Sequence, residues 1–321
     1  MKGLSLAEKA VKQARTIAVV CHINPDGDTV GSMLSLAGGL EKLGKRVMTI
    51  SYADLPPQYS SLPGACKVRK TLKNKIDLAI TVDCNSAEMV GPVLKDLRKN
   101  SKAILAIDHH SIREPYEDIS FIDPVASAVG EMVYVLLKKL KVKIDREIAR
   151  NILTSIIVET NSFRLPSVRS ETFEVCAELV KTGLDFNRLV EMVFWKKNRQ
   201  AVVLGGLCIS RCNFLSRGRM AWAIVRKKDF KLTGGKDRDV DAIPDEIRAI
   251  NGVDVTVFFR ERDSGTLRVS LRSKKDINIG KLAKDNGGGG HSDVAGCEIE
   301  NSPKAIKRFL NDALKTLPAK R

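Results

Sequence analysis

VVCHINPDGD, residues 19–28, carries a β-branched apolar run straight into a histidine, a Pro-Asp-Gly turn and a second aspartate. Two later runs end the same way, ITVDCNS at 80–86 and LAIDHHS at 105–111. Short apolar runs bounded by turn residues read as buried strands. Strands are therefore expected at Thr16–His22, Arg46–Tyr52, Leu78–Asp83, Ala103–Asp108 and Ile119–Asp123, with helical patterns between them. That alternation implies an α/β unit whose parallel sheet is flanked by helices, with ligands gathering beyond the strand C-termini. The polar residues lie at those ends.

Helical periodicity follows at 127–141, 146–159 and 170–182, and again over 186–205, where WKKNRQ looks exposed. From 206 the pattern changes to CISRCNFL, MAWAIVR, VDVTVFFRE and LRVSLRS, alternating as strands, with helices near 239–250 and 302–316. The expected organisation is a catalytic domain over 1–185, a helical linker over 186–205 and a smaller mixed-sheet α/β domain over 206–321.

The 321 residues, 43% of them apolar, suffice for two cores. The N-terminal MKGLSLAEKAVKQAR holds no apolar run of signal-peptide length, and no stretch approaches the roughly 18 apolar residues of a membrane span. A cytoplasmic protein is expected. Seven cysteines without a CxxC pair read as reduced packing residues rather than disulfides or zinc ligands. The formal charge of +16 favours polyanionic, phosphate-bearing partners, although a lysine-rich solvated surface would look the same. With 5% aromatic residues, an extended groove for stacking long single strands is not expected.

All four histidines fall in polar clusters: His22 in HINPDGD, His109 and His110 in IDHH, and His291 in GGGGH. His22, Asp26 and Asp28 form a metal half-site whose mixed nitrogen and oxygen donors suit manganese or magnesium. A calcium loop is excluded, because Ala37 stands where its bidentate glutamate belongs. A parallel sheet would bring Asp83, Asp108, His109 and His110 to the same edge, enough ligands for two cations that activate water for phosphoester hydrolysis. Gly287–Gly290 lack the lysine of a nucleotide-binding P-loop and read as an anion nest with His291 as donor. Arg268 and Arg272 share one face of LRVSLRS, where a guanidinium could clamp phosphate.

Taken together, HINPDGDTVGS at 22–32, VDCNSAEMVG at 82–91, DHH at 108–110, VETNSFR at 158–164, and RVSLRS followed by GGGGHSDVAG at 287–296 resemble the DHH phosphoesterases. The resemblance is narrower to the group with a DHH-associated C-terminal domain, which includes nanoRNases and phosphatases of 3′-phosphoadenosine 5′-phosphate (pAp). It implies one metal on His22, Asp26 and Asp83 and a second on Asp28, Asp83, His109 and a fourth-motif carboxylate, with Asp83 as the bridge. It further implies that His110 contacts phosphate, that Asp108 orients the paired histidines, and that Arg272, Gly288, Gly289, Gly290 and His291 hold substrate. Asp83, Asp108, His109 and His110 form the expected catalytic set. Two departures stand out: Glu159, Thr160 and Asn161 replace the usual Asp-Thr-Gly, and Met89 stands where relatives often have arginine. The implied activity is a two-manganese phosphodiesterase, with magnesium or cobalt as substitutes, cutting short oligonucleotides and linear dinucleotides and also pAp. No membrane partner is implied, and a homodimer is left open. The competing readings are a pyrophosphate or polyphosphate hydrolase and a nucleotide-binding regulator impaired by Glu159.

Overall fold

The computed structural model describes residues 3–195, 198–274 and 277–318. They form two compact units, divided between Lys196 and Lys197.

In the first unit, α1 (Leu4–Gln13) and β1 (Thr16–Val20) precede α2 (Gly27–Lys42) and β2 (Arg46–Ile50). β3 (Leu78–Val82), α3 (Ala87–Val90), α4 (Val93–Asn100), β4 (Ile104–Asp108) and β5 (Ile119–Ile122) complete the sheet. The helices α5 (Val129–Lys139), α6 (Arg146–Glu159), α7 (Ser170–Val180) and α8 (Phe186–Phe194) follow. All strand pairs are parallel, in the order β2-β1-β3-β4-β5. β3 and β4 are buried along their whole length, which is why they read as continuous apolar runs rather than alternating ones. One face packs under α2, α5 and α6 around Met33, Leu36, Met132 and Ile152; the other packs under α4 around Leu94 and Leu97. The chain leaves β1 to form β2 on one side and β3 on the other. That reversal opens a crevice at the C-terminal edge, where ligand sites form in such sheets.

α2 packs closely on α6. A β-carbon at Gly31 would sit 2.4 Å from the Asn151 carbonyl oxygen and 2.9 Å from the Ser155 nitrogen. Gly130 of α5 meets the same residue, with a β-carbon placed 2.2 Å from Ser155 Oγ. Small residues here let three helices converge on one serine.

In the second unit, α9 (Arg199–Ser210), β6 (Asn213–Leu215), β7 (Met220–Val225), α10 (Lys227–Thr233) and α11 (Ile243–Arg248) lead into β8 (Val255–Glu261) and β9 (Thr266–Ser273). Then come α12 (Gly280–Asp285), β10 (Gly289–Gly290), β11 (Val294–Glu300) and α13 (Pro303–Leu314). The sheet order is β10-β11-β9-β8-β7-β6, mixed because β7 and β8 run parallel while the other pairs are antiparallel. Phe309 of α13 and Leu282 of α12 close one face; Leu204 of α9 and Ile247 of α11 close the other.

The structure corrects two expectations. The segment 186–205 is not one helix: α8 ends at Phe194 in the first unit and α9 begins at Arg199 in the second, while Lys196 and Lys197 lie outside the described residues. The first half of CISRCNFL is helix rather than strand, because Ala201, Leu204, Gly205 and Cys208 recur at helical spacing on the buried side of α9. No helix among the described residues is long and apolar enough to cross a membrane.

Substituting Gly31→Ala forces a β-carbon against the α6 backbone. The expected cost is about 1–3 kcal/mol, read as a lower urea midpoint. An unchanged midpoint would mean that α2 and α6 separate freely.

Candidate metal centre and active site

Each acidic or imidazole group at the sheet edge is placed by an element end. His22 follows β1, Asp83 follows β3, and Asp108 closes β4 with His109 and His110 just beyond it. Asp26 is the N-cap of α2, accepting a hydrogen bond from the Thr29 amide at 3.0 Å. The Thr29 hydroxyl donates to the Val82 carbonyl at 3.1 Å, tying the start of α2 to the end of β3. Asp83 has a left-handed backbone, φ 60°. A short polar residue tolerates that conformation better than most.

The two oxygens of Asp83 face different partners. Oδ2 lies 3.5 Å from His22 Nε2, which is also 3.8 Å from Asp26 Oδ1. Oδ1 lies 3.8 Å from His109 Nε2, which is also 3.7 Å from Asp28 Oδ2 and 3.7 Å from Glu159 Oε1. These separations exceed good hydrogen bonds, about 2.7–3.2 Å. They do fit donors sharing a cation, since two atoms each about 2.0–2.2 Å from one ion are at most about 4.4 Å apart. Asp83 Oδ1 is buried without a hydrogen-bond donor among the described residues. His22, Asp26 and Asp83 form one cation-competent set, and Asp83 also belongs to another with His109 and His110.

Electrostatics favour positive charge in this crevice. Asp28 is fully buried, and burial together with the charge of Asp83 pushes its pKa up to about 7. Burial opposes protonation of His22, yet Asp26 and Asp83 outweigh it and raise the imidazole to about 10. Packing this many carboxylates together in low dielectric is unfavourable without a compensating cation. The residues present therefore fit a divalent ion, with oxygen donors outnumbering nitrogens as harder ions prefer.

Surrounding groups aim these donors. Asp28 Oδ1 accepts from the hydroxyls of Ser155 at 2.6 Å and Ser32 at 3.1 Å, and Oδ2 accepts from the Val129 amide at 3.1 Å. The His109 Nδ1 lies 3.1 Å from the Ala126 carbonyl, so that nitrogen carries the proton and Nε2 turns a lone pair toward the carboxylates. His110 Nδ1 lies 2.7 Å from Asp108 Oδ1, while Arg113 Nε donates to Asp108 Oδ2 at 2.6 Å. Burial would raise the Asp108 pKa, but His110 and Arg113 hold it below the usual carboxylate value. Glu131 accepts from the Ser127 hydroxyl at 2.7 Å and from Arg169 at 2.8 Å, bracing the loop that carries Ala126.

Ser32, Ser155, Ala126, Arg113 and Glu131 were not singled out by sequence. A legible sign existed for Ser155: a hydroxyl within the apolar TSII of α6 needs a buried partner. Glu159 ends α6, and the next turn holds Asn161, Ser162 and Phe163 in left-handed conformations, φ 47°, 57° and 62°. Such residues cost on the order of 1–3 kcal/mol each, strain the surrounding structure must overdetermine.

In the second unit, β9 and β11 pair Arg272 with Val294, and the Asp293 carbonyl accepts from the Ser273 amide at 2.9 Å. Arg272 is thereby placed next to the turn bearing His291. Its Nε donates to both oxygens of Asp245 at 3.1 Å, and Arg248 meets Asp245 at 3.3 Å. A β-carbon at Gly288 would lie 2.1 Å from the Gly296 carbonyl oxygen, and Gly290 has φ 133°, so both glycines are demanded by the hairpin. At Gly289 a β-carbon would meet nothing within 4 Å. Arg268 sits farther along β9, opposite Glu298.

Residues 16–157 match the DHH family N-terminal domain, and residues 230–318 match the DHHA1 domain. The chain belongs to the DHH phosphoesterase family. The bifunctional oligoribonuclease and PAP phosphatase NrnA of Thermus thermophilus is 29% identical to it over 299 residues, covering 92% of this chain and 88% of that protein. The protein of the same name from Bacillus subtilis is 28% identical over 306 residues, covering 94% of each. The crystal structure of an exopolyphosphatase-related protein from Bacteroides fragilis shares the fold, with a TM-score of 0.90 at 23% identity, covering 98% of this chain and 95% of that one. In this DHH chain His22, Asp26, Asp28, Asp83 and His109 lie within the segment matched to the N-terminal domain, with Glu159 just beyond it.

Asp83→Asn keeps a residue type suited to the left-handed backbone while removing the charge. The metal-free variant is expected to melt no lower than the metal-free wild type. Added manganese should raise the wild-type melting temperature, by the equivalent of about 2.7 kcal/mol at one hundred times Kd, and should leave the variant nearly unchanged. Equal stabilisation of both proteins would remove Asp83 from the metal centre.

Proposed function

We propose that this protein is a divalent-metal-dependent phosphodiesterase that hydrolyses short oligonucleotides and linear dinucleotides such as pApA to mononucleotides, and that it also removes the 3′-phosphate of pAp. The observation that carries the reading is the division of Asp83, one oxygen toward His22 and Asp26, the other toward His109, Asp28 and Glu159. Support also comes from the relatives named bifunctional oligoribonuclease and PAP phosphatase, which align along nearly the whole chain.

We assign His22, Asp26 and Asp83 to one ion and Asp28, Asp83, His109 and Glu159 to a second. Manganese is the proposed metal, with magnesium or cobalt able to replace it. Two ions bound there would supply an ionised water and neutralise charge on the transferring phosphoryl group. The chain's own residues then set the geometry. Asp83 joins the two ligand sets, and the Ala126 carbonyl keeps His109 in the tautomer whose Nε2 can coordinate. Asp108 fixes His110 through Nδ1, so that Nε2 is the nitrogen presented to a phosphoryl oxygen. Water oxygen bonds to phosphorus, the P–O bond to the leaving nucleotide breaks, and the proton lost by the water passes to the departing oxygen.

To the second unit we assign substrate retention. Arg272 and His291 would meet phosphate, and Gly288–Gly290 would let backbone amides approach it, with Gly289 the glycine not already required by the hairpin. The seven cysteines are free thiols, in keeping with a reducing cytoplasm. A homodimer is the proposed assembly.

The test is mononucleotide release from pApA by metal-stripped protein given manganese, magnesium, cobalt or nothing. Turnover only with added metal is expected. Binding without turnover under every metal would instead identify a regulator, and hydrolysis of pyrophosphate without turnover of pApA would identify a pyrophosphatase. Asp108→Asn should lower kcat about 10–100-fold with the metal content unchanged; full activity would exclude Asp108 from orienting His110.

A further inference from the structure

Phe173 on α7 exposes 54% of its surface, although it stacks on Phe163 with ring centroids 5.3 Å apart and planes 29° apart. A large ring backed by a second ring and largely open to solvent has the form of a stacking platform. Its position relates it to the metal-competent cluster by two independent routes. Phe163 lies four residues beyond Glu159, in the left-handed turn whose Phe163 amide donates to the Thr160 hydroxyl at 3.0 Å. Phe173 follows Thr172, whose hydroxyl donates to Glu131 at 3.3 Å. Glu131 also holds the Ser127 amide at 3.0 Å, next to the Ala126 carbonyl that orients His109. Both rings are thus fixed to the scaffold that aims the phosphate-cleaving groups.

Building on the nucleotide-hydrolase reading, we propose that Phe173, backed by Phe163, is a nucleobase-stacking platform of the first unit. Stacking is tolerant of base identity, because every base offers a π-face. The platform therefore recognises that a base is present without selecting which one. It also sets a footprint: a single platform for one base suits substrates of a few nucleotides, in agreement with the scarcity of aromatic residues elsewhere in the chain.

The experiment compares wild type, Phe173→Ala and Phe173→Trp on pApA and on two analogues, each lacking one of the two bases. Both KM and the equilibrium Kd are measured. Phe173→Ala is expected to raise KM and Kd for pApA about tenfold, within the range that aromatic-to-alanine changes produce at base-stacking sites, with kcat changed less than about twofold. Phe173→Trp should restore the wild-type values. On one of the two abasic analogues the alanine variant should behave like wild type, because the contact it removes is already missing. Unchanged KM and Kd for pApA, or an equal loss on both abasic analogues, would overturn the platform. If wild type turned over no nucleotide, the hydrolase reading would fail, and the Kd comparison would still decide the role of Phe173. Because the Phe173 side chain is largely exposed, thermal melts of the three proteins should coincide; a markedly lower melt for the alanine variant would instead make the stacked pair a structural element.

Discussion

Everything at the sheet edge depends on the electrostatic cost of gathering Asp26, Asp28, Asp83, Asp108 and Glu159 around a few imidazoles. Asp108 is neutralised within the chain, by His110 on one oxygen and Arg113 on the other. Asp83 keeps one oxygen open, since its Oδ1 is buried without a donor among the described residues. Asp28 is satisfied by hydroxyls and an amide, which orient a carboxylate but do not cancel its charge. The fold therefore separates its buried acids into two kinds. One is closed by guanidinium and imidazole and acts as a fixed anchor; the others remain open to an external cation.

The scaffold holds those open carboxylates against their repulsion through close packing. Ser155 reaches Asp28 only because Gly31 and Gly130 let α2 and α5 approach α6 at its position. The same α6 ends at Glu159, so one helix both orients Asp28 and supplies a carboxylate of its own. The strained turn that follows, Asn161–Phe163, leads directly to the aromatic pair with Phe173. Strain, metal ligands and the proposed base contact are thus adjacent along a short segment.

Much of this was legible in the sequence. Continuous apolar runs ending in HINPDGD, VDCNS and DHH mark parallel strands and place the polar residues at one edge. What could not be read was the support. Arg113 looks like any surface charge in IREPYED, and only the fold shows it on Asp108. Ala126 contributes a carbonyl, which side-chain chemistry never reveals. Asp245 sits on a short helix far from Arg272 in sequence, so its hold on that guanidinium is a tertiary fact. The break between α8 and α9 is hidden in the sequence because both halves carry helical periodicity, and WKKNRQ gives no sign of where one helix ends.

The claim that Asp83 joins two cation sites is tested most directly by electron paramagnetic resonance of the manganese-loaded protein. A shared carboxylate and ions about 3.5–4 Å apart predict an exchange-coupled pair, with two ions bound per chain at saturation. A six-line spectrum of isolated manganese at saturation, with one ion per chain, would contradict the account and leave the two oxygens of Asp83 facing a single ion.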